Sequence, residues 1–151
     1  MPKITAQFRA KVLDATSVAN RITCAANEFC NVLQSLMDQP AVAKLNVVWN
    51  RQESLSRPAF AFDSSVGTIV AGFDHVMDGG YLRGRYRLYR YVGSPIAPVL
   101  KEFWSFMIAE NGAATWTIPG GLEWNSQDKA DVMDFIHRAM AEFFSTMDQV
   151  Q

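Results

Sequence analysis

The chain has 151 residues, with 14 Lys and Arg against 15 Asp and Glu, a formal charge of −1 and only 19% charged residues. That length fits about one domain. The 49% apolar content and near-zero charge exclude an intrinsically disordered chain and a uniformly basic nucleic-acid binder. No internal repeat, low-complexity tract or linker divides the sequence, so a single domain spanning residues 1–151 is expected.

The first element is long. Ile4, Phe8, Val12, Ala15, Ala19, Ile22, Ala26, Phe29, Leu33 and Leu36 step by three or four, the spacing of one helical face. A helix from residue 4 to Pro40 spans roughly 50 Å, longer than a small domain is wide. The capping residues Asp14, Thr16 and Ser17 offer a place to break it. If it stays whole, its alanine-rich first half is free to accept a second subunit.

Strand signals follow. Leu45, Val47 and Trp49 alternate with polar positions, and residues 59–62 and 66–73 read as two further strands. A polar, glycine-ended loop over residues 74–80 leads to a long strand, Tyr81 to Val92. The short gaps predict an antiparallel meander of four strands. Residues 94–108 carry Ile96, Val99, Leu100, Phe103, Trp104, Phe106, Met107 and Ile108, which predicts a buried middle helix. Pro119-Gly120-Gly121 then joins two short strands as a hairpin.

A last helix from Asn125 or Ser126 has a core stripe of Val132, Met133, Ile136, Met140, Phe143, Met147 and Val150. Asp134, Arg138 and Glu142 line its solvent face as i,i+4 neighbours. Phe135 falls off that stripe and marks a possible contact surface. The order is α-ββββ-α-ββ-α, an α+β domain with helices against one face of an antiparallel sheet.

Catalytic and metal signatures are sparse, so no catalytic residue, metal or cofactor is assigned. His75 has Asp74 and Asp78 nearby, but no helical HExxH or paired-cysteine spacing completes a ligand set. His137 sits at the edge of the last helix's stripe. No serine lies in a G-x-S-x-G elbow, and the glycine pairs lack phosphate-loop spacing. Cys24 and Cys30 point to different faces of one helix and cannot bridge locally. Two lone thiols, with neither a signal-like apolar region nor a membrane-length one, fit a cytoplasmic protein.

One segment is unusual. Residues 81–92 hold all four tyrosines and four of the nine arginines. From Gly79 to Lys101 no acidic residue offsets Arg83, Arg85, Arg87, Arg90 and Lys101, a local charge of +5. As a strand it presents Tyr81, Arg83, Arg85, Arg87, Tyr89 and Tyr91 on one face and Leu82, Gly84, Tyr86, Leu88 and Val92 on the other. Arginine and tyrosine together suit a protein–protein contact with an acidic partner. Single-stranded nucleic acid is the alternative, and a small-molecule pocket or enzyme site under the sheet a more distant one. Internal pairing with the acidic C-terminal part (Glu123, Asp128, Asp131, Asp134, Glu142 and Asp148) explains the charge split without any ligand. The expectation is a non-enzymatic, homodimeric binding protein using the Arg/Tyr face.

Overall fold

A computed structural model describes residues 3–50 and 55–150. Helix α1 (Ala6–Leu36) is unbroken over 31 residues, about 46 Å at 1.5 Å per residue. Thr5 caps it, its hydroxyl accepting from the Phe8 amide at 3.1 Å. The expected break does not occur. Thr16 turns its hydroxyl back onto the Val12 carbonyl at 2.8 Å, which satisfies the side chain without interrupting the helix. A single turn, α2 (Pro40–Ala43), follows.

Seven strands come next: β1 (Val48–Asn50), β2 (Phe60–Ser64), β3 (Gly67–Asp78), β4 (Tyr81–Val92), β5 (Val99–Ile108), β6 (Ala113–Thr115) and β7 (Leu122–Asn125). They pair antiparallel in sequence order as one curled sheet, a half-barrel. Helix α3 (Lys129–Ser145) closes the chain, capped by Asp128, whose carboxylate accepts from the amides of Ala130 and Asp131. The fold is α+β with an antiparallel sheet, but strand count and order differ from expectation.

Two corrections account for the difference. The expected middle helix is strand β5. Its register against β4 shifts where Leu88 faces Trp104 and Tyr89 faces Glu102, leaving Phe103 as the extra residue of a bulge. Trp104, Phe106 and Ile108 face the core, and Phe103 also turns inward to meet Phe143 edge-on at 5.5 Å. Adjacent inward residues at a bulge break period-two alternation and imitate a helical stripe. The second correction is the expected loop over residues 74–80. Most of it is strand, since β3 runs to Asp78 and only Gly79-Gly80 turn, at φ of 55° and 86°.

Both helices pack on the inner face of the sheet. Phe29 of α1 sits at the centre, with the rings of Phe60, Tyr86, Phe106, Trp124 and Phe135 around it at 5.1–6.0 Å, all edge-on. Such contacts add about 0.5–1.5 kcal/mol each beyond burial.

Phe135 is therefore not a contact surface. It is fully buried, stacked on Trp124 at 5.5 Å and on Trp104 at 5.6 Å. Helix α3 packs against α1 as well as against β5 and β7, so its buried arc widens to Val132, Phe135, Ile136, Ala139, Met140 and Phe143. Met147 and Val150, expected in the stripe, are exposed instead.

The helix comes closest to the sheet at Gly84. A Cβ there would lie 2.6 Å from Phe73, 2.8 Å from Ile108 and 2.8 Å from Ile22. Gly84→Ala is expected to destabilise the fold by about 1–3 kcal/mol through overpacking, measured as a lower urea midpoint with an unchanged slope.

Candidate functional site

The inner face of β4 is consumed by packing, with Gly84, Tyr86 and Leu88 beneath the helices. Strand alternation then sends Arg83, Arg85, Arg87, Tyr89 and Tyr91 to the outer face. Cross-strand neighbours on that face come from β3 and β5. Asp74 and Met107 flank Arg85, Gly72 and Ser105 flank Arg87, and Val70 and Glu102 flank Tyr89.

Asp74 organises the row. Its carboxylate accepts from Arg85 Nε at 3.0 Å and Nη2 at 2.6 Å, a two-pronged pair, and from Arg87 Nη2 at 3.0 Å. Arg87 Nε also lies 4.0 Å from Glu102. The Arg85 hydrogen bond, with the charges of both guanidiniums, holds the Asp74 carboxyl below the usual aspartate range. The same contact raises the pKa of Arg85, so both groups stay charged at any ordinary pH. The two side chains remain about a third open to solvent, at 30% for Arg85 and 39% for Arg87.

The tyrosines are held in different ways. Tyr81 is 66% exposed and lies under the Arg83 guanidinium, 5.1 Å from ring centre to Cζ, a cation–π contact. Among the described residues Arg83 has no carboxylate at ion-pair distance. Tyr89 lies over Gly72, where a Cβ would touch its ring at 3.6 Å. Tyr91 faces Leu100 across the strands, and both are exposed.

All six sequence-selected residues of β4 thus stand in one outer row, and Phe135 lies apart in the core. The expected pairing of the arginines with the acidic C-terminal part is replaced. Their carboxylates come from the neighbouring strands, while α3 packs on the other side of the sheet. Within α3, Arg138 instead pairs with Glu142 at 3.0 Å. Sequence reasoning placed Asp74 in a loop and so missed it. The signal was there: alternation over Phe73, His75 and Met77 continues that of the preceding strand.

His75 and Asp74 are successive strand residues and point to opposite faces. His75 turns toward α1, its Nε2 3.5 Å from the Thr23 hydroxyl and 3.4 Å from the Ala19 carbonyl. Among the described residues no group of three His, Cys, Asp or Glu side chains is placed to hold a metal. No helix there is long and apolar enough to cross a membrane.

Both cysteines are free. Cys30 is buried and donates to the Pro58 carbonyl at 3.2 Å, which also accepts from the Tyr86 hydroxyl at 2.9 Å. Burial pushes the Cys30 thiol up to about 11 and the Tyr86 phenol well above its ordinary value. The pair is a neutral clamp on the segment that enters β2, and it has no thiolate to act as nucleophile.

No family model, curated protein or solved structure matches the chain.

Two outcomes follow from this geometry. Asp74→Asn leaves Arg85 and Arg87 facing each other without their shared carboxylate, and should cost about 1 kcal/mol at neutral pH for a pair this exposed. Because the folded-state pKa of Asp74 is depressed, its contribution is present above the ordinary aspartate range and is lost as pH falls through the lower folded value. Urea titrations of wild type and variant should therefore converge in strong acid. For the thiols, iodoacetamide at mildly alkaline pH should label Cys24, which is exposed, and leave Cys30 unmodified until denaturant is added. Mass spectrometry reads one adduct in the first case and two in the second.

Proposed function

We propose that the chain works by binding, and that the outer face of β4 docks an acidic surface of another protein. The supporting observation is the Asp74 carboxylate gripping Arg85 and Arg87 together. Held this way, two long side chains lose less rotamer freedom on docking, so more of the contact energy appears as affinity. Tyr81, Tyr89 and Tyr91 flank them with large, stiff apolar area, the combination enriched at protein–protein hot spots.

Single-stranded nucleic acid is the second reading, and the same contacts weigh against it. Tracking phosphates calls for a run of uncommitted cations, whereas Asp74 and Glu102 offset two of the three outer-row arginines. Base stacking calls for open ring faces, but Tyr81 is covered by Arg83 and Tyr89 rests on the sheet at Gly72.

Fluorescence anisotropy with two probes tests the proposal: a labelled Glu/Asp-rich peptide containing tyrosine, and a labelled oligothymidine. The peptide should bind, and Arg83→Ala should weaken it roughly tenfold while leaving the melting temperature unchanged. Oligothymidine binding that falls steeply with salt, with no peptide binding, would replace the proposal with the nucleic-acid reading. Binding of neither probe overturns both.

A further inference from the structure

The first half of α1 extends past the sheet. Its burial begins at Ile22, and every residue from Lys3 to Ser17 is exposed. Yet this arm repeats the pattern of the half that is buried. Ile4, Phe8, Val12, Ala15 and Ala19 fall within an arc of about 80° at 100° per residue, continuous with Ile22, Ala26 and Phe29 below. Ile4 is 60% exposed, Phe8 55% and Val12 49%. A polar arm would have served as well if solvent were its only neighbour.

We infer that the arm pairs with the same arm of a second copy, antiparallel, about a two-fold axis at Val12. Three features of the arm select that occupant and that direction. The first is volume. The stripe is large at its start (Ile4, Phe8) and small at Ala15, and an antiparallel pair centred on Val12 brings Phe8 level with the partner's exposed Ala15, within one residue. A parallel pair would set Phe8 against the partner's Phe8 and leave a gap between alanines.

Charge is the second feature. Lys11 and Asp14 lie on the same flank of the stripe. In an antiparallel two-fold pair a flank meets its own copy, so Lys11 comes level with the partner's Asp14, again within one residue, and the contact occurs twice. In a parallel pair a flank meets the opposite flank, so Lys11 would face the side that carries Arg9 and Thr16 and would not meet Asp14. The third feature is the neighbourhood. Asp14, Ala15 and Val18 form one wall of a crevice of about 260 Å³ whose other wall is the β3–β4 tip, with Met77, Tyr81 and Leu82. The partner's arm runs past that tip, where Met77 and Tyr81 are each 66% exposed.

Three arm side chains (Ile4, Phe8 and Val12) and two tip side chains (Met77 and Tyr81), at on the order of 100 Å² each, bring on the order of 500 Å² per copy into the contact, at the low end of specific interfaces. The pairing is isologous and closes on itself, giving dimers and no longer assemblies. It shares Tyr81 with the outer row of β4 but does not depend on the binding reading given above.

Sedimentation velocity on the full chain, over a concentration series, reads the result directly. Wild type should move from 16.9 kDa toward twice that mass as concentration rises. Phe8→Asp should hold it at the monomer mass with an unchanged melting temperature, because Phe8 stands on the exposed arm beside Ile4, Arg9, Val12 and Leu13 of its own helix. Lys11→Glu and Asp14→Lys should each raise the dissociation constant about tenfold, and the double variant should recover most of that loss. A monomer at all concentrations overturns the inference. So does a dimer indifferent to Phe8→Asp, or a charge reversal that the double variant fails to rescue. Peptide binding by the β4 face, compared at concentrations where every variant is monomeric, should be the same in all of them, so failure of one proposal leaves the other standing.

Discussion

Phe29 needs five aromatic neighbours at once, and that requirement sets the positions of nearly every other element. The five rings come from β2, β4, β5, β7 and α3, so one side chain of α1 ties the curl of the sheet to the seat of the last helix. For α1 to lie this low, something on β4 must give way, and Gly84 does, with Ile22 and Ile108 closing over it. The Tyr86 hydroxyl would be stranded in such a place without a partner. The Pro58 carbonyl supplies one, and Cys30 shares it.

The outer face is a consequence of this inner one. Because Gly84, Tyr86 and Leu88 are committed to the helices, a strand with period two has no choice about where Arg83, Arg85, Arg87 and Tyr89 go. Register does the rest. The hairpin of β3 and β4, with twelve residues in each strand, places Asp74 directly across from Arg85, and a bulge in β5 brings Glu102 to the level of Tyr89. The ion pairs add modestly to stability at this exposure. Their larger effect is geometric, since one carboxylate fixes the spacing of two guanidiniums.

Legibility in the sequence followed physical lines. The amphipathic stripe of α1, the alternation of β4 and the i,i+4 pair on α3 are local periodicities, and each is present where the residues imply it. What misled was tertiary in origin. The bulge at Phe103 put two adjacent aromatics on one face, so β5 carried the signature of a buried helix. Phe135 looked peripheral because the wheel was read against a single partner, whereas α3 has two. The six outer residues of β4 were legible from alternation alone. Their partner Asp74 was hidden in a polar segment ending in Gly79-Gly80, which reads as a loop unless the alternation of Phe73, His75 and Met77 is followed through it.

The sheet is long in the middle and short at its margins. Strands β3 and β4 have twelve residues each, while β1 and β7, which end the sheet, have three and four. An exposed margin is where a foreign strand would add itself, one backbone hydrogen bond after another, with little regard for side chains. Among the described residues β1 and β7 offer such a strand only a few rungs. The longer open margins lie further in: β3 pairs with β2 only from Gly67 to Ala71, and β5 meets β6 only at Ile108. The far half of β3 and most of β5 therefore keep one edge of backbone without a neighbouring strand. A strand that added there would lie beside Asp74 on one margin or Glu102 on the other, so carboxylates as well as backbone would meet it.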